Sequence, residues 1–393
     1  MAPPVLIVGA GIAGLALALA LARAGRSVRL MEKRNVLTEA GAGIQVGPNG
    51  VKALAALGVL DALRPVAFQP ERIAVFQGRT GRRLTTIELG QAAMQRYHAP
   101  YLTLHRSDLQ AALLEAVKAA LEVTLLYDFD VAGVEQSSAT VTVRARDGRS
   151  ESGVALIGAD GLWSRVRQAV SGPSPIAAGY AAYRALIPRD MLTAPFNEPQ
   201  VGLWIGRDAH VVHYPVRGGG LLNVVVIVKS SDSSPEWDQP GALAELTPHV
   251  ARWAPALRTL LRQATWWRRW TLYDLVPPVQ WHQGNMCLIG DAAHPLLPFL
   301  AQGAVMALED SVLLATFLAG EGSDPAAAFA QFESVRRPRL MRVANASRSN
   351  GRLYHQGGLV AAVRDAGLRF TNPKGLLTSY DWLFSYDVGM CRL

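Results

Sequence analysis

The chain has 393 residues, half of them hydrophobic and 18% charged, which excludes a disordered or low-complexity protein and provides for a large core in one or two domains. Its 39 basic and 31 acidic residues leave a formal charge of +8, with WWRRW at 266 to 270 as the densest basic cluster. That is too little basic patterning for a nucleic-acid or membrane surface, and it favours attraction of anionic small molecules.

Two cysteines, Cys287 and Cys391, make no disulfide framework, and no CxxC, HExxH or three-histidine spacing offers a metal site. No metal is expected, and a reducing cytoplasm is the expected compartment. MAPPVLIVGAG runs straight into a strand without the basic start of a signal peptide.

VLIVG at 5 to 9 predicts an apolar strand, glycines 9, 11 and 14 open an alanine- and leucine-rich helix to about 24, and SVRLME at 27 to 32 gives the next strand. This is a βαβ start backed by a parallel sheet. LALALALA at 15 to 22 is too short to span a bilayer and ends at Arg23 and Gly25. GAGIQVGPNG at 41 to 50 reads as a close backbone approach, followed by a helix from about 49 to 57. Short alternating runs fill 71 to 104; Ser107, with Gln110 three residues on, predicts a capped helix to about 120. A strand pair with a polar turn follows, then GVALIGADG at 153 to 161, a strand leading into another glycine turn.

Between 179 and 280 the texture changes to YAAYRALIP, VGLWIG, HVVHYPV and GLLNVVVIV, the pattern of a mainly antiparallel sheet. A helical section is predicted over 241 to 263, then a strand over WTLYDLVPP returning toward MCLIGD. Helices dominate from 303, and LLTSYDWLFSYDV reads as a packing tail.

GAGIAG at 9 to 14 carries the first chemistry. Gly9 permits a tight turn, Gly11 lets backbone approach a pyrophosphate, Gly14 allows close helix packing, and Glu32 stands where it can accept both hydroxyls of an adenosine ribose. The motif does not by itself choose between FAD and NAD.

Two further stretches make the choice by resemblance. GADGLWSRVR at 158 to 167 resembles the DG fingerprint of the class A flavoprotein aromatic hydroxylases and GDAAHPLLPFLAQGAVMALED at 290 to 310 their second FAD fingerprint, in that family's order over about residues 5 to 345. The resemblance implies an α/β fold: a Rossmann-like FAD-binding domain with a mainly parallel sheet (1–75, 100–178 and 280–345), interrupted by a substrate domain with a mainly antiparallel sheet (76–99 and 179–279), then a C-terminal helical tail at 346–393. It implies FAD contacts from Gly9, Gly11, Ala13, Gly14 and Glu32, with Lys33 and Arg34 at the adenine end, Gly43, Ile44 and Arg106 beside the flavin, and Asp160 organising its loop. Asp291 would bind the ribitol and pyrophosphate region and Pro295 would lie at the flavin's reacting face. Pro298, Gln302, Gly303 and Ala304 would build a helix N-terminus that stabilises negative charge on the reduced ring. His294 would hold loop geometry. Ala301 stands where the family commonly has glycine, which removes an easy left-handed backbone option.

The implied reaction is hydroxylation of a small aromatic hydroxy acid, salicylate- or hydroxynicotinate-like, with or without loss of its carboxylate, using O2 and NADH or NADPH through a C4a-hydroperoxyflavin. A larger quinone-like or natural-product substrate, or an NAD(P)H oxidase or reductase that inserts no oxygen, remains the alternative. The family resemblance is compatible with a homodimer. A phenol ionises near 10 in water, so a histidine near neutrality suits its activation. In DAHVVHYP, His210 and Tyr214 share one strand face and His213 takes the other with Val211. His213 is the first candidate for the base and His210 the second. Tyr214 or Gln302 would orient the ring, Tyr183 or Arg184 would stand at the pocket wall, and Arg184 is a candidate for a carboxylate, whereas Arg217 in VRGGG falls on a turn.

Overall fold

The computed structural model describes residues 3–37, 42–137, 140–172, 174–232, 238–275, 280–320 and 324–390. Met1, Ala2, Gly41, the Val276–Pro278 end of the WTLYDLVPP run and Cys391 lie outside the described residues.

Among the described residues, a six-stranded sheet runs in the order His282–Gln283, Met286–Leu288, Ala155–Gly158, Val5–Val8, Val28–Met31, Val123–Leu126, parallel except for the first strand. Its strands are short apolar runs, as suits a sheet covered on both faces. Val8 lies beside Gly158 on one side and Met31 on the other. The turns that follow these strands therefore emerge at one edge, which is how three stretches separated by hundreds of residues come together.

The helix Ile12–Arg23 explains the LALALALA run. It is buried on nearly every side, against the helix Gly303–Leu318 and the helix Arg106–Lys118. Fully enclosed helices lack an apolar stripe because they have no wet side. No helix among the described residues is long and apolar enough to cross a membrane.

An eight-stranded sheet forms the second layer, ordered Asp238–Gly241, Trp267–Asp274, Ile176–Pro188, Leu221–Lys229, Ala209–Val216, Gln200–Gly206, Arg72–Gln77, Arg83–Glu88. It is antiparallel apart from the Gln200–Gly206 and Arg72–Gln77 pair. One face packs on the helices Leu243–Val250 and Pro255–Gln263, making a core of its own with Phe196, Trp204 and Leu257. The other face meets the nucleotide-binding half: the strand Gly43–Val46, paired with Leu102–His105, lies against Tyr214 and Asn223.

Details differ from expectation. The Ser107 cap does not form: the helix begins at Arg106 behind His105 without a side-chain cap, and the Ser107 hydroxyl instead bonds His105 Nδ1 at 2.6 Å. The strand Arg72–Gln77 starts inside the stretch assigned to the first domain, and the helix Pro325–Tyr354 runs unbroken across residue 346. The tail packs as a plug, with Phe384 edge-on to Tyr97 and Tyr101.

Candidate active site

Backbone shape decides what the first glycine turn can hold. Gly9 has φ +100°, and a side-chain carbon there would meet the Ala159 carbonyl at 2.6 Å. A carbon on Gly14 would strike the Gly9 carbonyl at 1.8 Å, whereas one on Gly11, or on Gly303, would meet nothing within 4 Å. Tight packing behind and open space in front make a cradle whose free helix amides suit an anion. Glu32 is positioned by its own turn: its carboxylate accepts from Ala10 N at 2.9 Å and Arg34 N at 3.0 Å, which leaves lone pairs for ribose hydroxyls. Lys33 and Arg34 are exposed beside it.

Asp160, partly buried, accepts from the Ser164 hydroxyl and from the amides of Arg165 and Val166. Burial raises its pKa against these bonds. It therefore shapes its turn. Arg167 is buried and donates to the carbonyls of Ala292 and Leu162, tying this turn to the next.

The third turn carries the exposed Asp291, the buried Pro295 and the partly buried Pro298. Gly290 has φ +57°, and a carbon there would touch the Ala13 methyl at 3.1 Å, so Ala13 seats this turn on the first. Ser311 Oγ adds a bond to the Ala13 carbonyl at 3.0 Å. His294 works as a brace through its side chain: its Nε2 meets Asp310 Oδ2 at 2.6 Å, and the same oxygen accepts from Gly290 N at 3.1 Å.

Behind the turn lies a buried charge network that local reading missed. Arg336, fully buried, donates to Asp310 at 2.9 Å and Glu309 at 2.8 Å, and Arg339 also binds Glu309. Asn49 Nδ2 donates to both Glu309, at 2.8 Å, and the side-chain oxygen of Gln302, at 3.1 Å. Gln302, Gly303 and Ala304 thus begin a helix held from below, and the Gln302 amide nitrogen is left for a ligand. Ala301 adopts the left-handed conformation, φ +53°, despite its side chain. The expectation that alanine forfeits it is corrected, at a cost of about 1 kcal/mol.

Gly43 and Ile44 run beside Arg106, which donates its amide to the Ala42 carbonyl at 2.8 Å. A carbon on Gly43 would strike Tyr214 at 2.6 Å, so this glycine is demanded by contact with the sheet.

The sheet face toward these loops presents Arg184, Tyr214, Val212 and His210. Arg184 stacks over Trp270 at 4.1 Å, and its charge favours ionised Tyr214, although burial dominates and raises that phenol's pKa. His210 lies against Phe299 of the third turn, with burial pushing its pKa well down.

His213 is not brought to this face. Its ring lies over Gly202, where a side-chain carbon would be 2.0 Å from Nε2, and against Phe196 and Trp204 in the rear core. Neither ring nitrogen has a partner, and burial alone lowers its pKa to about 3. A group so enclosed reaches no substrate from the front. Tyr183 is likewise on the rear face, bonded to Glu245. Among the described residues no His, Cys, Asp or Glu cluster could hold a metal.

The FAD binding domain family matches residues 3–347. The chain belongs to the class A FAD-dependent aromatic hydroxylases. It is 36% identical over 388 residues to 3-hydroxybenzoate 6-hydroxylase of Polaromonas naphthalenivorans strain CJ2, covering 99% of this chain and 97% of that one. Its identity to the Klebsiella oxytoca enzyme of the same name is 38% over 387 residues, covering 98% and 97%. A salicylate hydroxylase substrate complex superposes with TM-score 0.83 at 26% identity, covering 99% of this chain and 96% of that one. The chain is therefore an FAD-dependent monooxygenase, and the glycine cradle, Glu32 and the Gly303 helix fit that cofactor.

Proposed function

We propose that this hydroxylase acts on a single-ring aromatic hydroxy acid of the 3-hydroxybenzoate kind, with NADH or NADPH as electron donor and O2 as oxygen donor. One observation carries the reading. Arg184, Tyr214 and His210 share the sheet face that looks onto Phe299 and the third turn. A cation, a phenol and an imidazole on one face match a carboxylate and a phenolic oxygen on one small ring. The names of the 3-hydroxybenzoate relatives favour that isomer over salicylate or a hydroxynicotinate.

FAD, when bound, supplies electron transfer from nicotinamide and the oxygen chemistry. The protein's part is placement. Arg184 anchors the acid, Tyr214 and the Gln302 amide orient the ring, and His210 meets the phenolic oxygen, whose negative character enriches the carbon to be hydroxylated. The apolar wall of Val212, Val225 and Phe299 keeps water away from the reacting centre.

The test is anaerobic FAD reduction by NADH in stopped flow, with and without 3-hydroxybenzoate, salicylate, 4-hydroxybenzoate and 6-hydroxynicotinate, followed by aerobic product analysis. The expected result is marked stimulation by 3-hydroxybenzoate and one hydroxylated product per NADH. Stimulation by none of the four, or NADH oxidation that yields only peroxide, overturns the proposal.

A further inference from the structure

His210 does not stand alone. Its Nδ1 lies 2.8 Å from Nε2 of His355, a residue 145 positions away at the end of the helix Pro325–Tyr354 and beyond the matched family region. His355 is 7% exposed, packed against Phe299 and Tyr180, and its backbone carbonyl accepts from Asp208 N. The other His355 nitrogen, Nδ1, is buried without a hydrogen-bond partner.

That orphan decides the direction of the bond. One of the two rings must donate and the other accept. If His210 donated from Nδ1, neutral His355 would carry its proton on Nδ1, leaving a buried N–H unanswered. If His355 donates from Nε2, its Nδ1 keeps only a lone pair unanswered. Buried N–H groups without acceptors are the rarer and costlier defect. We propose that His355 is a positioning residue that locks His210 as the Nε2–H tautomer, so that His210 offers the phenolic oxygen a hydrogen-bond donor and holds the substrate as phenolate. This rests on the substrate reading above and changes its content: at rest His210 is a donor to the oxyanion, and the phenolic proton leaves by another acceptor, such as water as the acid binds. Burial, which lowers the pKa of His355 to about 4, keeps the pair neutral.

The test has two arms. In substrate-free, FAD-loaded enzyme labelled with 15N-histidine, ring nitrogen spectra are assigned with His210→Gln, then compared in His355→Leu and His355→Gln. The expected spectrum has His210 protonated on Nε2 and bare on Nδ1, with mixed tautomers in His355→Leu and restoration in His355→Gln, whose amide can donate from the same place. Protonation on Nδ1 in the parent protein, or an unchanged tautomer in His355→Leu, overturns the proposal. In the second arm, 3-hydroxybenzoate is the probe. His355→Leu should lose about 10- to 100-fold in kcat/KM for hydroxylation at unchanged FAD content, with His355→Gln recovering most of it. A loss that the glutamine does not rescue also overturns it. Should the acid prove inert with the parent enzyme, the substrate reading fails while the spectra still judge the tautomer.

Discussion

The two faces of the eight-stranded sheet treat histidine in opposite ways. On the front, His210 is answered by His355 at 2.8 Å, and the loops it faces rest on the Asp310, Arg336 and Glu309 network. On the rear, His213 sits three residues away among Phe196, Trp204 and Gly202 with both nitrogens unanswered. The front therefore uses buried polarity for geometry: His210, Asp310, Glu309 and Arg336 are each held by another side chain. The rear is an apolar core that tolerates one imidazole because burial keeps it neutral.

Breaking the front network should have the largest effect. Arg336→Met leaves Glu309 and Asp310 buried without their cation, and unfolding of the FAD-loaded protein in urea should show a loss of about 3–5 kcal/mol. A loss under 1 kcal/mol would mean the network is not holding the third turn.

The rear histidine gives a pH signature. Its pKa is about 3 in the folded chain, and it titrates near 6.5 when unfolded, so the unfolded state takes up the proton first as pH falls. Its contribution is intact above about 6.5 and is lost progressively toward about 3. His213→Leu removes this term, so its stability should fall less than the parent's between pH 7 and 4, by on the order of 2–3 kcal/mol. Parallel pH profiles by denaturation would contradict the enclosure of His213.

Arg184→Met should raise the KM for 3-hydroxybenzoate about 10-fold or more with FAD content intact, since a charge-assisted bond to a carboxylate is worth about 1.5–3 kcal/mol. A similar KM for the acid in both proteins would remove Arg184 from the site. The smallest effect belongs to Ala301→Gly, which should stabilise by about 0.5–1 kcal/mol in thermal unfolding, because glycine relieves the left-handed conformation and gives back part of the gain as unfolded-state entropy.

How much of this was legible depended on distance along the chain. The βαβ start and the three turns read correctly because a strand, a glycine turn and a helix are local patterns, and Glu32 closes the second strand where the pattern puts an acid. Period two correctly separated His210 from His213, yet it could not say which face looks inward. That is set by Leu243–Val250 and Pro255–Gln263 closing the rear and by Gly43 docking on the front. Asn49 and Gln302 meet across 253 positions, and His210 and His355 across 145, with no local signal for either. Ala301 was misjudged because the loop's tertiary contacts outweigh a single residue's backbone preference.

On the reading proposed above, chemistry belongs to the His210 face. The most direct measurement is product formation from 3-hydroxybenzoate by FAD-loaded His210→Gln and His213→Leu, side by side with the parent. Expected are a loss of about 100-fold or more in hydroxylation for His210→Gln and a change of about threefold or less for His213→Leu, both retaining FAD. Abolition of hydroxylation in His213→Leu, with fold and FAD intact and His210→Gln still active, would contradict it.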